Sequence, residues 1–453
     1  MRHTRNLTKR SPAGTRRPGR CAAALATASV VLALVAPVAE AAGPGTGRTG
    51  TAGPGAGGPG AGGPGAGGPG AGGPGAGAAD TAGRSAGSAD CAAARGSLAA
   101  SLDTLVTRHG IPGVAAELTD PRCGRWDAAR GVADRQTGRP MRAEDRFRIG
   151  SVTKTFTATV VLQLAAAGRI ELDAPVERYL PGVIRGDGYD YDGRTITVRQ
   201  LLQHTSGLPD YTAALVQLPL EQWRFRHAEP RELIATALKM PPPEKKWHYA
   251  TTNYLLAGLI VEKVTGHGVE AEVTRRILRP LGLRDTYWPG DSTRIHGSHS
   301  HSYFSATDGP DAPLTDGTEW NMTFGGAGGA LVSTPSDVNR FFHGLFGGEL
   351  LPARWLAEMK RTVPADPDRL WPGARYGLGL IASPLECGGW WWGHGGTVPG
   401  GHRALGAVGP GSRSIALALT VVPSTEQAEA DYRAAAETAF CAPTRRQQLK
   451  ETS

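Results

Sequence analysis

Lysine is scarce in this chain of 453 residues, with eight among 49 basic side chains. Only one of the eight, Lys154, has a serine three positions before it. Cysteine is scarcer still, at five, and no Cys-x-x-Cys or Cys/His pairing occurs, which argues against a zinc site. No metal and no cofactor is expected. Long apolar runs are also missing. The longest candidate, Ala22 to Ala36, spans about 15 residues, short of the ~20 that a membrane-crossing helix needs. Finally, the bulk of the chain has no excess of one charge. The formal net charge is +8, but residues 1–41 hold seven Lys/Arg against Glu40, and the rest carries 42 basic to 40 acidic residues. That balance gives no basis for a nucleic-acid partner.

The basic start, the apolar segment and the small residues around Ala39-Glu40-Ala41 have the form of a secretory signal peptide over 1–41. Arg16-Arg17 leaves a twin-arginine route open beside the general one. With the leader removed, no stable membrane anchor is expected. From 42 to 90 the composition turns to Gly, Pro and Ala, with Gly-Gly-Pro-Gly-Ala repeating every five residues between Ala52 and Gly77. Such a stretch has little to bury and lacks the three-residue period of collagen, so it reads as a disordered linker, either a tether or a passive tail. Residues 91–443 are long enough for one large core with two lobes, and 444–453 form a tail. Four cysteines remain beyond the leader, an even set in an exported protein. They allow three pairings. Cys91 with Cys123 and Cys387 with Cys441 is the preferred one.

Local patterns predict an opening helix over 92–108, strands over 113–118 and 126–133, and a helix carrying Ser151 and Lys154 in its first turns. Thr197-Val198-Arg199-Gln200 has the form of a capping box. Helices follow over 231–239, 253–264 and 335–345, the last with Thr334 as N-cap and Pro335 at the first helical position. Strands near 390–392, 403–408 and 414–421 and a helix over 426–440 close the chain. Helix and strand at both ends around a helix-rich middle give an α/β fold, a sheet flanked by helices with an inserted, mainly helical lobe.

Three stretches carry chemistry. In Ser151-Val152-Thr153-Lys154 the spacing places amine and hydroxyl on one helix face, where a lysine can take the serine's proton. In Tyr249-Ala250-Thr251 a phenol precedes an apolar helix, and a neighbouring Lys154 cation is expected to pull its pKa down. In His394-Gly395-Gly396-Thr397 a strand edge rich in glycine lets backbone N–H groups approach a substrate. Each has a blander reading when taken alone: a capping serine, a half-buried aromatic, a glycine turn.

Together, in this order, the three stretches resemble the Ser-x-x-Lys, Tyr-x-Asn and Lys/His-x-Gly signatures of the penicillin-recognising serine hydrolases. That family includes D-Ala-D-Ala carboxypeptidases, class C β-lactamases, esterases and D-amino-acid peptidases. Leu202-Gln203-His204-Thr205-Ser206-Gly207-Leu208, Tyr376-Gly377-Leu378-Gly379-Leu380 and the flanks of Cys387 and Cys441 are similar to the secreted, soluble carboxypeptidases. The resemblance implies a β-lactamase/DD-peptidase-like antiparallel sheet and an acyl-enzyme on Ser151. It further implies proton transfer by Lys154 and Tyr249, electrostatic assistance from His394, and an oxyanion hole made by the N–H groups of Ser151 and Thr397. Thr251, Gly395, Gly396 and Trp320 become candidate substrate contacts, although Trp320 and Gly325 to Gly329 also read as a structural loop. The expected setting is a monomeric enzyme outside the cell or at the cell wall, acting on small molecules or peptides such as peptidoglycan stem peptides.

Three positions depart from the carboxypeptidases. Thr251 stands where the family has asparagine, and Ile381 and Gly395 stand where an arginine and a threonine help hold the substrate's terminal carboxylate. An unpaired carboxylate in a cleft is costly, so their loss argues against tight binding of a C-terminal D-Ala. The resemblance still implies a D-alanyl-D-alanine carboxypeptidase-like serine hydrolase, acting on D-amino-acid peptides or related amides and esters. An esterase or β-lactamase of the same family and a penicillin-binding module without turnover are the alternatives. An α/β-hydrolase is set aside because Ile149 occupies the first glycine position of Gly-x-Ser-x-Gly. His296, His299 and His301, in a Ser/Gly-rich stretch, read as a solvated loop.

Overall fold

The computed structural model describes residues 77–186, 188–305 and 313–441. The expected signal peptide, residues 42–76 of the linker and the 444–453 tail lie outside the described residues. Helix α1 covers Gly77–Thr107, so residues 77–90, assigned to the linker from composition, are helical. The reason lies in the sequence: the last proline of the repeat is Pro74, and the alanines that dominate beyond it have the highest intrinsic helix propensity.

Eight strands form one sheet: β1 Gly113–Asp120, β2 Gly124–Gly131, β3 Val363–Pro364, β4 Arg375–Tyr376, β5 Ile381–Pro384, β6 Trp390–Thr397, β7 Arg403–Val408 and β8 Ser414–Leu419. Their order is β2-β1-β8-β7-β6-β5-β4-β3, antiparallel throughout. The N-terminal hairpin thus joins the C-terminal strands through β1 and β8, with Val114 opposite Leu419. Strand β8 is buried along its whole length, and its period of two divides the core. Ile415, Leu417 and Leu419 pack with Leu98 and Leu102 of α1 and with Tyr432 and Phe440 of the closing helix α7, Glu426–Cys441. Ala416 and Ala418 face the opposite cluster, which contains Val338, Phe341 and Phe342 of α6, Pro335–Phe346. As expected, Thr334 caps that helix by accepting the Asp337 N–H at 3.2 Å.

The middle of the chain is mainly helical. It contains α2 Thr153–Ala166, α3 Val198–Gln203, α4 Pro230–Leu238 and α5 Thr251–Thr265. Thr197 and Gln200 close the capping box of α3 in both directions. α2 and α5 are buried on nearly every side and form the floor on which the reactive residues stand. No helix among the described residues is long and apolar enough to cross a membrane.

Two disulfides tie the periphery, Cys91–Cys123 and Cys387–Cys441, with Cα separations of 5.5 and 5.6 Å. The second closes a 54-residue separation and pins the β5–β6 turn to the end of α7. Replacing both Cys387 and Cys441 by serine is expected to remove about 4 kcal/mol and lower the thermal midpoint on the order of 5–10 °C, read by calorimetry on the oxidised protein. An unchanged midpoint would show that the cross-link adds nothing to the folded state.

Candidate active site

Ser151, expected in the first turn of the helix, lies in a single 3-10 turn, Gly150–Val152, that runs straight into α2. Gly150 has φ of 49°, and a Cβ there would stand 2.7 Å from the Thr397 carbonyl oxygen. Across the contact, a Cβ on Gly396 would stand 1.9 Å from the Ile149 oxygen. Backbone therefore touches backbone, which only glycine permits. The same contacts set the Thr397 nitrogen beside Gly150 and the Ser151 nitrogen beside Gly396, each 3.0 Å from that glycine's ideal Cβ position. Gly396 thus acts by letting β6 approach Ser151.

Lys154 is fully buried one helical turn beyond Ser151. Its Nζ lies 3.1 Å from Ser151 Oγ and 3.5 Å from Thr251 Oγ1, and donates to the Gly328 carbonyl at 2.9 Å. Burial brings its pKa down to about 7, with Asp210 drawing it upward and Arg369 pressing it further down. The amine is thereby a usable base near neutrality.

Tyr249 stands beside Ser151 on the cleft, and Lys154 Nζ lies 4.9 Å from its ring centre. Its phenol is not pulled down as the lysine charge suggested. Burial pushes it up, and the neighbouring Ser151 hydroxyl and Arg369 offset only part of that. The physical reason is shared desolvation: a site dry enough to neutralise Lys154 also disfavours a phenolate. Tyr249 is therefore a protonated donor.

The segment carrying Tyr249 hangs on His204, which the sequence reading had only as part of a resembling stretch. His204 sits buried in a left-handed conformation at the end of α3, φ 61°. Its carbonyl accepts the His248 N–H at 2.9 Å, its Nδ1 accepts the Ala250 N–H at 3.2 Å, and its ring lies 4.3 Å from that of Tyr249. Asn253 also turns inward, accepting from the Ser206 hydroxyl at 2.7 Å and approaching His204 Nδ1 at 3.1 Å. It does not replace the missing asparagine at Thr251.

His394 does not assist as a cation. Its ring lies 6.3 Å from that of Tyr249, but its hydrogen bonds go elsewhere. Nδ1 donates to the Gly395 carbonyl at 2.5 Å and Nε2 accepts from the Tyr376 hydroxyl at 2.8 Å, an arrangement that fits a neutral imidazole. Burial and the Lys154 charge bring its pKa down to about 3. His394 is a buried support for the strand and for the ring stack around Tyr249.

A cleft of about 70 Å³ opens on Ser151, Tyr249, Thr251 and Thr397, and Asp210 and Arg369 stand on its wall. Gly325, Gly328 and Gly329 border it, as the glycine stretch suggested. Trp320 does not. It is fully buried behind Trp223 and Phe324, with ring centres at 5.0 and 6.0 Å, and those two residues form the lining. Gly395 also points elsewhere, because alternation along β6 turns it to the opposite face of the sheet from Gly396. Ile381 is buried in β5, so the arginine lost there leaves no vacancy in the cleft. The site nonetheless has cations that the sequence did not announce. Arg369 packs 5.5 Å from the Tyr249 ring centre, and Arg403 of β7 donates to Thr397 Oγ1 at 2.6 Å and to Glu429 at 2.6 Å. His301 pairs with Asp316 at 2.7 Å, a carboxylate partner that was not foreseen.

The family model described as Beta-lactamase matches residues 98–440. Penicillin-binding protein 4 of Amycolatopsis lactamdurans is 34% identical over 53% of this chain and 60% of its own length. Esterase EstB of Burkholderia gladioli is 29% identical over 64% of this chain and 81% of its own. This chain therefore spans less than two thirds of the first of these relatives. Among solved structures, a D-stereospecific amidohydrolase from a Streptomyces species is 38% identical, with a TM-score of 0.67 over 76% of this chain and 99% of that one. D-amino acid amidase from Ochrobactrum anthropi SV3 is 27% identical, with a TM-score of 0.65 over 76% and 98%. With a buried Ser-Lys pair at the edge of an antiparallel sheet and a family match across nearly all of the described domain, the chain belongs to the beta-lactamase family, the penicillin-recognising hydrolases that include penicillin-binding proteins, esterases and D-amino acid amidases.

Proposed function

We propose that this protein is an exported serine hydrolase that cleaves D-amino-acid amides, peptides or esters through an acyl-enzyme on Ser151. The 3.1 Å contact between Ser151 Oγ and a buried Lys154 Nζ of pKa about 7 carries the reading. When the amine is neutral the serine hydroxyl donates to it, and Oγ attacks the scissile carbonyl as its proton passes to Nζ. The N–H groups of Ser151 and Thr397 face the oxyanion. Tyr249, kept protonated by burial, gives its proton to the departing amine or alkoxide and regains one from Lys154. Water then attacks the ester carbonyl by the reverse proton path, releasing the acid and restoring Ser151. The two disulfides support an oxidising destination.

The preference for an acyl donor with a free amino group rests on Asp210. Its carboxylate is nearly buried on the cleft wall, and its Oδ1 accepts the Thr251 and Thr212 N–H groups at 3.2 Å each. That leaves it acceptor capacity for a substrate ammonium beside the acyl position. The D-amino acid amidase among the structural neighbours is named for such substrates.

Ser151→Ala is expected to lower kcat on a D-amino-acid p-nitroanilide by about 10³ or more and to abolish the mass increment left by penicillin or substrate on the intact protein. Retained turnover would remove Ser151 from the reaction.

The rate should depend on Lys154 losing its proton. kcat/KM is expected to rise with pH up to a plateau above about 7 and to fall tenfold per unit below it. Lys154→Arg, which cannot deprotonate, should be inactive throughout. A flat profile between pH 5 and 8 would count against lysine as the base.

Asp210→Asn keeps both N–H acceptor contacts but drops the charge. It should lower kcat/KM by roughly 10- to 100-fold for substrates with a free α-amino group and leave the N-acetylated analogues nearly unchanged. Equal losses for both would assign Asp210 a structural role.

A further inference from the structure

On the face of the sheet opposite Ser151, between β6 and α7, lies a cavity of about 240 Å³. Its walls are Trp371 and Trp391, whose ring centres are 5.8 Å apart and whose planes differ by 30°. Gly395 makes the room: a Cβ placed there meets nothing nearer than the Ala404 oxygen at 3.6 Å. At the polar end, Arg403 Nε has no hydrogen-bond partner, and the hydroxyl of buried Tyr432 has beside it only the Arg403 guanidinium, itself a donor, whose carbon stands 5.2 Å from the Tyr432 ring centre. Arg433 adds a second cation, 5.7 Å from the Trp371 ring centre, and Glu437 is the one acid on the lining.

The geometry points to this cavity as a binding site for a small aromatic carboxylate. Apolar cavities of about 150 Å³ already accept a benzene ring, so the space suffices for a phenyl group and a short acidic arm. The ring would rest against the two indoles on the side that Gly395 leaves open. The carboxylate would accept from Arg403 Nε–H and the Tyr432 hydroxyl, completing two buried donors that otherwise lack acceptors. Because Arg403 also holds Thr397 Oγ1, occupancy places a negative charge one side chain away from the catalytic cleft. The site is built without Ser151, so it stands or falls separately from the hydrolase reading.

Calorimetric titration of the mature protein with 3-phenylpropionate and with its amide tests this. The acid is expected to bind at one saturable site with quenching of tryptophan fluorescence, and the amide at least about tenfold more weakly. Ser151→Ala should bind the acid as the unaltered protein does. Gly395→Leu fills the cavity and should abolish binding while circular dichroism reports an intact fold, and Tyr432→Phe should weaken binding about tenfold. Equal affinity for acid and amide, unchanged binding in folded Gly395→Leu or in Tyr432→Phe, or no binding at millimolar acid would each overturn the assignment.

Discussion

The desolvation of one amine governs this molecule. Lys154 has no contact with solvent, and an ammonium enclosed in protein is so disfavoured that its proton becomes available near neutrality. Few groups are supplied to hold the charge: a serine hydroxyl, the Gly328 carbonyl and, further off, a threonine hydroxyl. Asp210 acts at longer range and keeps the pKa from falling lower. The same dryness sets the state of the neighbours. Tyr249 stays a phenol and His394 stays neutral, so next to Ser151 stand a neutralisable amine and a phenol, with the charges of Asp210 and Arg369 further out on the wall.

Keeping water out requires the elements around Lys154 to close upon it, and glycines make that possible. A Cβ on Gly328 would stand 2.7 Å from Thr251 Cγ2 and 3.3 Å from Lys154 Nζ, so the 326–329 turn can seal the amine only without a side chain. Gly396 does the same for β6 against the Ser151 turn. Reactivity here follows from how closely backbones can approach, and the helical floor of α2 and α5 fixes that distance.

Much of this could be read along the chain. The closing strands and helix, the N-terminal hairpin, the caps at Thr197 and Thr334 and both cysteine pairs came from local patterns or resemblance, and the structure agrees. Ser151, Lys154 and Tyr249 converge as their motifs implied. The misses share a cause. Trp320, Gly395 and the charge on His394 depend on which way a side chain faces and what lies behind it. Asp210, Arg369 and Arg403 reach the site from segments without a motif, and their signal is spatial.

The sequence by itself determined the order of elements, the pairing of the Ser151 hydroxyl with the Lys154 amine, and the glycines where chains must touch, because spacing, capping and the absence of a Cβ are properties of neighbours along the backbone. Tertiary structure decided the protonation states, the sign of the Tyr249 shift, the cations near Thr397 and the hollow behind Gly395. Those depend on burial and on distance through space, and neither is set until segments hundreds of residues apart are packed together.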